Sequence, residues 1–517
     1  MRNAGTIFIL VLAVAGLLAV QTPAWAGQPP GVQTKVDMAA LARDGRWLEL
    51  LTAATAAVQK NPSDPEPEAF RLQAMRMLGE SDAAVKQADE AVKRFPNDAH
   101  IILERSWILT FRGNWPLALA DAMRASEIAP KLMDALTVQG ISCREMHDWD
   151  NAISVYTKIL NMRPGDAHAL QNRGRAYVEK KMWQEAKADL DKSISLNKKS
   201  AEAFYYRGRM NAGAGKLGDA TKDLTRAIKL KPESPAPYIA RAEVLARGGL
   251  WEAAAKDAYT AIVLGSRDAR PYLTACRASV ALGDWDALSE YAAGGIRTVP
   301  ENPDFYHFAG RAYREKSDLD RALAAYSQAV KLAPGDAGLL LERALTAIML
   351  RRYPQAADDC TASLAIRTSS LAYALRGLAC LKTGSLDGAL EESTNALTLN
   401  PKEIMALLVR ANVYLSQNNV REAVSESRKA LMLDPAQPWA YVTCGSALTA
   451  AGKREEGLKL LNEAVKMAPR DGEAYLVRGR CLAALGRRGD AVKDFERAAA
   501  ADPALAPAAR AERDKLL

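Results

Sequence analysis

Proline placement constrains this chain more than any other feature. Prolines that follow an apolar run fall at 62, 96, 130 and 164, at 232, 300 and 334, and at 401, 435, 469 and 503. All are in phase with a 34-residue period, one residue being missing between Pro334 and Pro401. Eleven of the fourteen phased positions are Pro, the exceptions being Lys198, Ser266 and Thr368. With only 24 prolines in 517 residues, chance would fill fewer than one of them. A period of this size means one supersecondary unit copied along the chain, each copy burying its apolar face by stacking on the next.

With Pro set at position 32, repeats begin at 31, 65, 99, 133, 167, 201, 235, 269, 303, 337, 370, 404, 438 and 472 and span 31–505. Position 20 is Ala in eleven repeats, from Ala84 to Ala491. Position 8 is Gly in seven: Gly140, Gly174, Gly208, Gly310, Gly377, Gly445 and Gly479. Small residues there let two antiparallel helices approach closely, and Pro stops the second helix. In the fourth repeat Leu136, Gly140 and Cys143 form one helical face, and Ala152, Tyr156 and Ile159 the other. Each repeat therefore reads as helix A, a tight turn and helix B, and the fold class as all-α.

These residues resemble the tetratricopeptide repeat (TPR) family. The ninth repeat carries Tyr306, Gly310, Tyr313, Ala322, Tyr326, Ala329 and Pro334, with Ala309 where the family often has Leu. The resemblance implies a right-handed superhelical solenoid of about 14 helix-turn-helix repeats, with A helices lining a concave surface through positions 2, 5, 9 and 12. The first repeat departs, with Met38 and Leu50 at the small positions, and reads as an end cap. The eighth also departs, with Cys276 and Leu288, so a bend or looser stacking is expected near 276–296. Residues 506–517 read as a charged C-terminal capping helix.

The first 26 residues have another character. Arg2 precedes an apolar run from Ile7 to Val20, and Ala24-Trp25-Ala26 places small residues where a signal peptidase needs them. Fourteen apolar residues span only ~21 Å, short of a ~30 Å hydrocarbon core. A signal peptide over 1–26, cleaved after Ala26, is expected, with a flexible lead-in over 27–36. The expected location is outside the cytoplasm, in a bacterial periplasm, with no stable transmembrane span after cleavage.

Charge and motifs exclude several functions. The net charge is only +8, with no dense basic stripe, so nucleic-acid binding is not expected. Four scattered histidines, no C-x-x-C, no H-E-x-x-H and no G-x-S-x-G give no catalytic or metal centre and no cofactor. Gly213-Ala214-Gly215-Lys216-Leu217-Gly218 matches G-x-G-x-x-G but falls at the A-to-B turn of the sixth repeat. The six cysteines take packing positions. They read as buried small hydrophobes, and in an oxidising compartment Cys360 with Cys380, or Cys444 with Cys481, would bridge adjacent repeats.

The arginines divide into two sets. At position 7 stand Arg105, Arg173, Arg207, Arg241, Arg343, Arg376, Arg410 and Arg478. In the same repeats position 23 is acidic: Asp121, Asp189, Asp223, Asp257, Asp359, Glu392, Glu426 and Asp494. This covariation along one chain predicts structural ion pairs between helices A and B. Arg71 has no such acid, since Gln87 stands at position 23.

The second set follows the face that the resemblance assigns to binding. Arg175, Arg209, Arg277 and Arg311 stand at position 9, Tyr205 and His307 at position 5, and Arg314 at position 12. Leu341, Leu345 and Leu378 continue the row as an apolar strip. The expectation is a non-enzymatic scaffold that holds a protein or peptide segment with acidic and apolar parts, in an envelope or export assembly. The alternative is a factor associated with anionic polysaccharide export; self-association through solenoid ends or grooves also fits.

Overall fold

The computed structural model describes residues 37–79 and 81–517. The leader and lead-in read over 1–36 lie outside the described residues. The described residues form 29 helices and no strand. Helices alternate as A and B through fourteen pairs, from Met38–Arg43 with Trp47–Lys60 to Gly472–Ala484 with Arg488–Ala501. A last helix, Ala506–Asp514, buries Ala509 and covers the fourteenth pair with Leu505 and Leu516.

Local chemistry sets the helix ends. From the second repeat on, every A helix starts at position 1. The residue before it commonly caps it: Asp98 accepts from the His100 and Ile101 amides at 3.0 and 2.9 Å. B helices stop because Pro drives the residue before it out of the helical region. Arg163, ahead of Pro164, takes φ −135° and ψ 81°. Ser266 lacks that device. Helix B of the seventh repeat, Trp251–Val263, ends one residue early and turns through Gly265 at φ +79°. The chain divides there into two compact units, one ending at Ser266 and the other beginning at Arg267.

The A-to-B turn shows a second regularity. Position 15 has positive φ in all fourteen repeats, as nine glycines and as His147, Lys181, Ser317, Arg351 and Asn418. An L side chain is strained there by roughly 1–2 kcal/mol, which explains why Gly predominates.

In six of the seven repeats with Gly at position 8 the packing is an exchange of sizes, the missing Cβ leaving room for a large residue at position 24. A Cβ on Gly310 would lie 2.9 Å from the Tyr326 ring, and one on Gly479 2.7 Å from Phe495. Ala at position 20 is fully buried from Ala84 to Ala491. In the eighth repeat Cys276 and Leu288 are both fully buried in one cluster. Its Gly295 leaves the space into which Phe305 of the next repeat inserts.

Two glycine substitutions separate close packing from helix propensity. Gly310→Ala is expected to lower the stability of its unit by ~1–3 kcal/mol, because Tyr326 has no room to move. Gly218 has nothing within 4 Å of a Cβ and lies inside helix B, Leu217–Leu230. Gly218→Ala is therefore expected to be neutral or stabilising by ~0.5–1 kcal/mol. Urea titrations followed by circular dichroism check both; equal midpoints would contradict the packing account.

Candidate functional site

The position-7 arginines are built into the stack. Each bonds the acid sixteen residues on: Arg173 Nε to Asp189 at 2.7 Å, Arg207 to Asp223 at 2.7 Å, Arg241 to Asp257 at 2.6 Å and Arg478 to Asp494 at 2.7 Å. Arg105, Arg343, Arg376 and Arg410 do the same. The sequence reading did not foresee the second half of the contact. In six of the eight, Arg105, Arg173, Arg207, Arg241, Arg376 and Arg478, another guanidinium nitrogen reaches back to position 25 of the preceding repeat. Arg173 bonds Thr157 at 3.0 Å, Arg207 bonds Asp191 at 2.7 Å and Arg241 bonds Thr225 at 2.9 Å. Arg71 also finds an acid, Glu68 at 2.7 Å, a fully buried carboxylate on its own helix that also accepts from Gln87.

The position-9 and position-12 residues lie on the A helices and behave differently. In the first unit the fourth to sixth A helices are Met133–Glu145, Ala167–Glu179 and Ala201–Gly213. Arg175 lies over the Tyr206 ring at 5.3 Å, its Nε buried with no hydrogen-bond partner. Tyr206 meets Tyr205 edge to face at 5.0 Å, and Arg209 lies over both rings. Arg209 is neutralised by Glu179 at 2.7 Å. Glu202, a carboxylate close in the row, is taken by Gln171 at 2.7 Å. Arg175 is thus the cation of this group without a carboxylate. Burial pushes the Tyr156 and Tyr206 hydroxyls up to about 12, so both stay neutral phenols.

The sequence reading missed two members of this group. Arg144 bonds Asn172 at 2.9 Å and Glu145 at 2.8 Å. Its position, 12 in the fourth repeat, is one that the position rule covers. Tyr206 stands at position 6, outside the rule, and no periodic signal marks it.

The second unit holds the rest. Arg277 is exposed. Arg311 lies over Trp285 at 5.9 Å, its Nε buried and unpartnered. Arg314 pairs with Glu342 and lies over Tyr326 at 5.7 Å. His307 stacks on Phe308 at 5.6 Å. Burial holds its imidazole below the ordinary value, and Arg311 and Arg314 act the same way against Glu342 and Asp304, so the ring is neutral at pH 7.

The apolar strip has a structural role. Leu341 and Leu378 are 9% and 7% exposed, and Leu345 packs half-buried against the cluster that contains Leu341. They serve the joins between helices rather than an open face, because neighbouring A helices here pack on each other.

Other motifs resolve into structure. A Cβ on Gly213 would lie 2.5 Å from the Trp183 ring of the preceding repeat, and Gly215 has φ +80°. The first two glycines of the motif therefore serve helix packing and the turn, and Gly218 serves neither. All six thiols are free, and burial pushes Cys143 up to about 11 and Cys276 and Cys360 up to about 12. Among the described residues no group of His, Cys, Asp and Glu is placed to hold a metal, and no helix is long and apolar enough to cross a membrane.

The fold and its repeat chemistry define an α-solenoid class. Residues 172–235, 212–274, 309–370 and 445–506 match one tetratricopeptide repeat model, and 406–437 match a second. Together they cover half of the chain, which belongs to the tetratricopeptide repeat family. Similar solved structures include the APC/C hetero-tetramer Cut9-Hcn1, 13% identical over 93% of this chain and 95% of that chain, TM-score 0.43. PilF of Pseudomonas aeruginosa is 20% identical over 41% and 97%, TM-score 0.37. YrrB, described as a TPR protein with an unusual peptide-binding site, is 18% identical over 36% and 95%, TM-score 0.33. No curated protein matches the chain.

Two outcomes follow for the arginine contacts. Arg207→Ala leaves Asp223 buried without its guanidinium and is expected to cost about 3 kcal/mol of stability, read as a lower urea midpoint; an unchanged midpoint would contradict a structural role. Burial alone would raise the Asp191 and Glu426 carboxyls, but hydrogen bonds from Lys187 and Arg207, and from Lys429 and Arg410, hold both below their ordinary values. A depressed carboxyl contributes stability above its unfolded pKa and loses it as pH falls through the folded value. Stability should therefore decline below about pH 4.5, and Asp191→Asn with Glu426→Gln should flatten that decline.

Proposed function

We propose that the protein is a non-enzymatic interaction scaffold that holds partner protein segments on the A-helix face of each of its units, the face that would line a concave surface. The observation that carries this is the contrast between the two arginine sets. Position-7 arginines spend their hydrogen bonds inside the stack. Arg175, Arg277 and Arg311 stand on the A helices with no carboxylate partner. Two of them stand beside aromatic rings, Arg175 at 5.3 Å from the Tyr206 centroid and Arg311 at 5.9 Å from that of Trp285. A guanidinium held there keeps its planar fork available for a carboxylate. The partner group is therefore an acidic side chain, and the aromatic rings add apolar contact beside it.

The leader read over 1–26 supports a site of action outside the cytoplasm, in an envelope or export assembly. An anionic polysaccharide is the second reading, since stacked arginines and tyrosines also suit carboxylated sugars.

The test is a cross-linked pull-down from envelope extract with the natural chain and an Arg175→Glu, Arg277→Glu, Arg311→Glu variant of equal helicity. A protein captured by the natural chain and reduced at least tenfold with the variant supports the reading. Capture of the same proteins by both forms overturns the arginine row as the site. Capture of carbohydrate alone, lost steeply as salt rises, favours the polysaccharide.

A further inference from the structure

The second unit contains contacts that its repeat pattern does not require. Arg351, in the turn of the tenth repeat, pairs with Asp502 at the end of the fourteenth, 151 residues away. Lys382, in the last turn of helix A of the eleventh repeat, Ser370–Thr383, reaches both carboxylate oxygens of Glu473 at 3.3 Å, 91 residues away. Glu473 opens helix A of the fourteenth repeat, Gly472–Ala484. The two pairs use different residues on different elements and join the same two regions. Ordinary stacking links a repeat to its immediate neighbours, so these pairs record a stack curled until its tenth and eleventh repeats meet its fourteenth.

The A-helix faces between those contacts are covered by their own side chains. Ile348, Leu378, Leu381, Met405, Val409 and Trp439, from the A helices of repeats ten to thirteen, pack as one apolar cluster. In an open TPR stack these helices would present their free face to a partner. The fastening itself is weak. Side-chain exposure is 46% and 25% for Arg351 and Asp502, and 33% and 45% for Lys382 and Glu473. Exposed pairs of this kind are screened by salt and contribute little each. Arg351 also holds a left-handed conformation, φ 60°, where glycine would be unstrained.

We infer that these two pairs form an electrostatic clasp that keeps the A-helix face of repeats ten to thirteen occupied by its own side chains, and that opening the clasp exposes this face. The inference does not depend on the arginine row proposed above.

A zero-length test uses the purified natural chain. A carbodiimide joins a lysine amine to a carboxylate only when they touch, and peptide mass spectrometry maps the product. Mixing isotopically labelled and unlabelled chains distinguishes links within a chain from links between chains. The Lys382–Glu473 link is expected within one chain at low salt, at least fivefold weaker at about 1 M salt, where the screening length is about 3 Å, and at least fivefold weaker in Arg351→Glu. Lys466 and Glu463, 3.4 Å apart on one helix, are the control for reagent activity. Hydrogen exchange over helix A of repeat twelve, Ile404–Ser416, should quicken in Glu473→Lys and return to the natural rate in Lys382→Glu with Glu473→Lys. Formation of the Lys466–Glu463 link without the Lys382–Glu473 link would overturn the clasp. A link yield insensitive to Arg351→Glu, or exchange unchanged by Glu473→Lys, would overturn its control of the face.

Discussion

Within each unit the stack depends on one repeated contact: an arginine on helix A that bonds an acid on helix B of its own repeat and a polar group on helix B of the repeat before. Arg207 shows it in full, with Asp223 on one side and Asp191 on the other. The planar fork makes this possible, since two edges of one guanidinium reach two helices at fixed angles. Apolar packing brings the helices together without direction. Where it is present, the arginine adds direction and ties its repeat to the one before.

That contact also sorts the charged residues by role. An arginine at position 7 is consumed by the fold, whereas one at position 9 stands two residues on and takes no part in that contact. Arg209 at position 9 and Arg314 at position 12 are met by Glu179 and Glu342. Arg175 and Arg311 are held instead by aromatic rings, which orient a guanidinium without neutralising it. In the proposed scaffold such a partly desolvated cation is what an acidic partner group would meet, since part of the cost of ordering it is already met.

Much of this was legible in the sequence. Repeat phase, helix starts, small positions and the Arg–acid partnership all recur every 34 residues, so each was stated many times over. The position-15 turn was equally visible as a column of glycines and stood unread. The reach of position 7 to the preceding repeat left a trace too, in Asp89, Thr157, Asp191 and Thr225, but a column mixing Asp and Thr reads as ordinary surface. Glu68, the partner of Arg71, sits three residues away on the same helix and breaks the column pattern altogether.

What the sequence by itself determined is therefore the unit and its internal joints, because short-range chemistry repeated at a fixed period leaves a periodic record. Only the tertiary structure decided which A-helix residues remain open. Leu341 and Leu378 occupy the same kind of position as residues of an exposed row, yet they are buried. Arg351 and Lys382 look like any exposed cation, yet they meet Asp502 and Glu473. The physical reason is accumulation. Each repeat adds a small rotation to the last, and whether distant repeats meet depends on the sum of several such rotations, which no single repeat encodes.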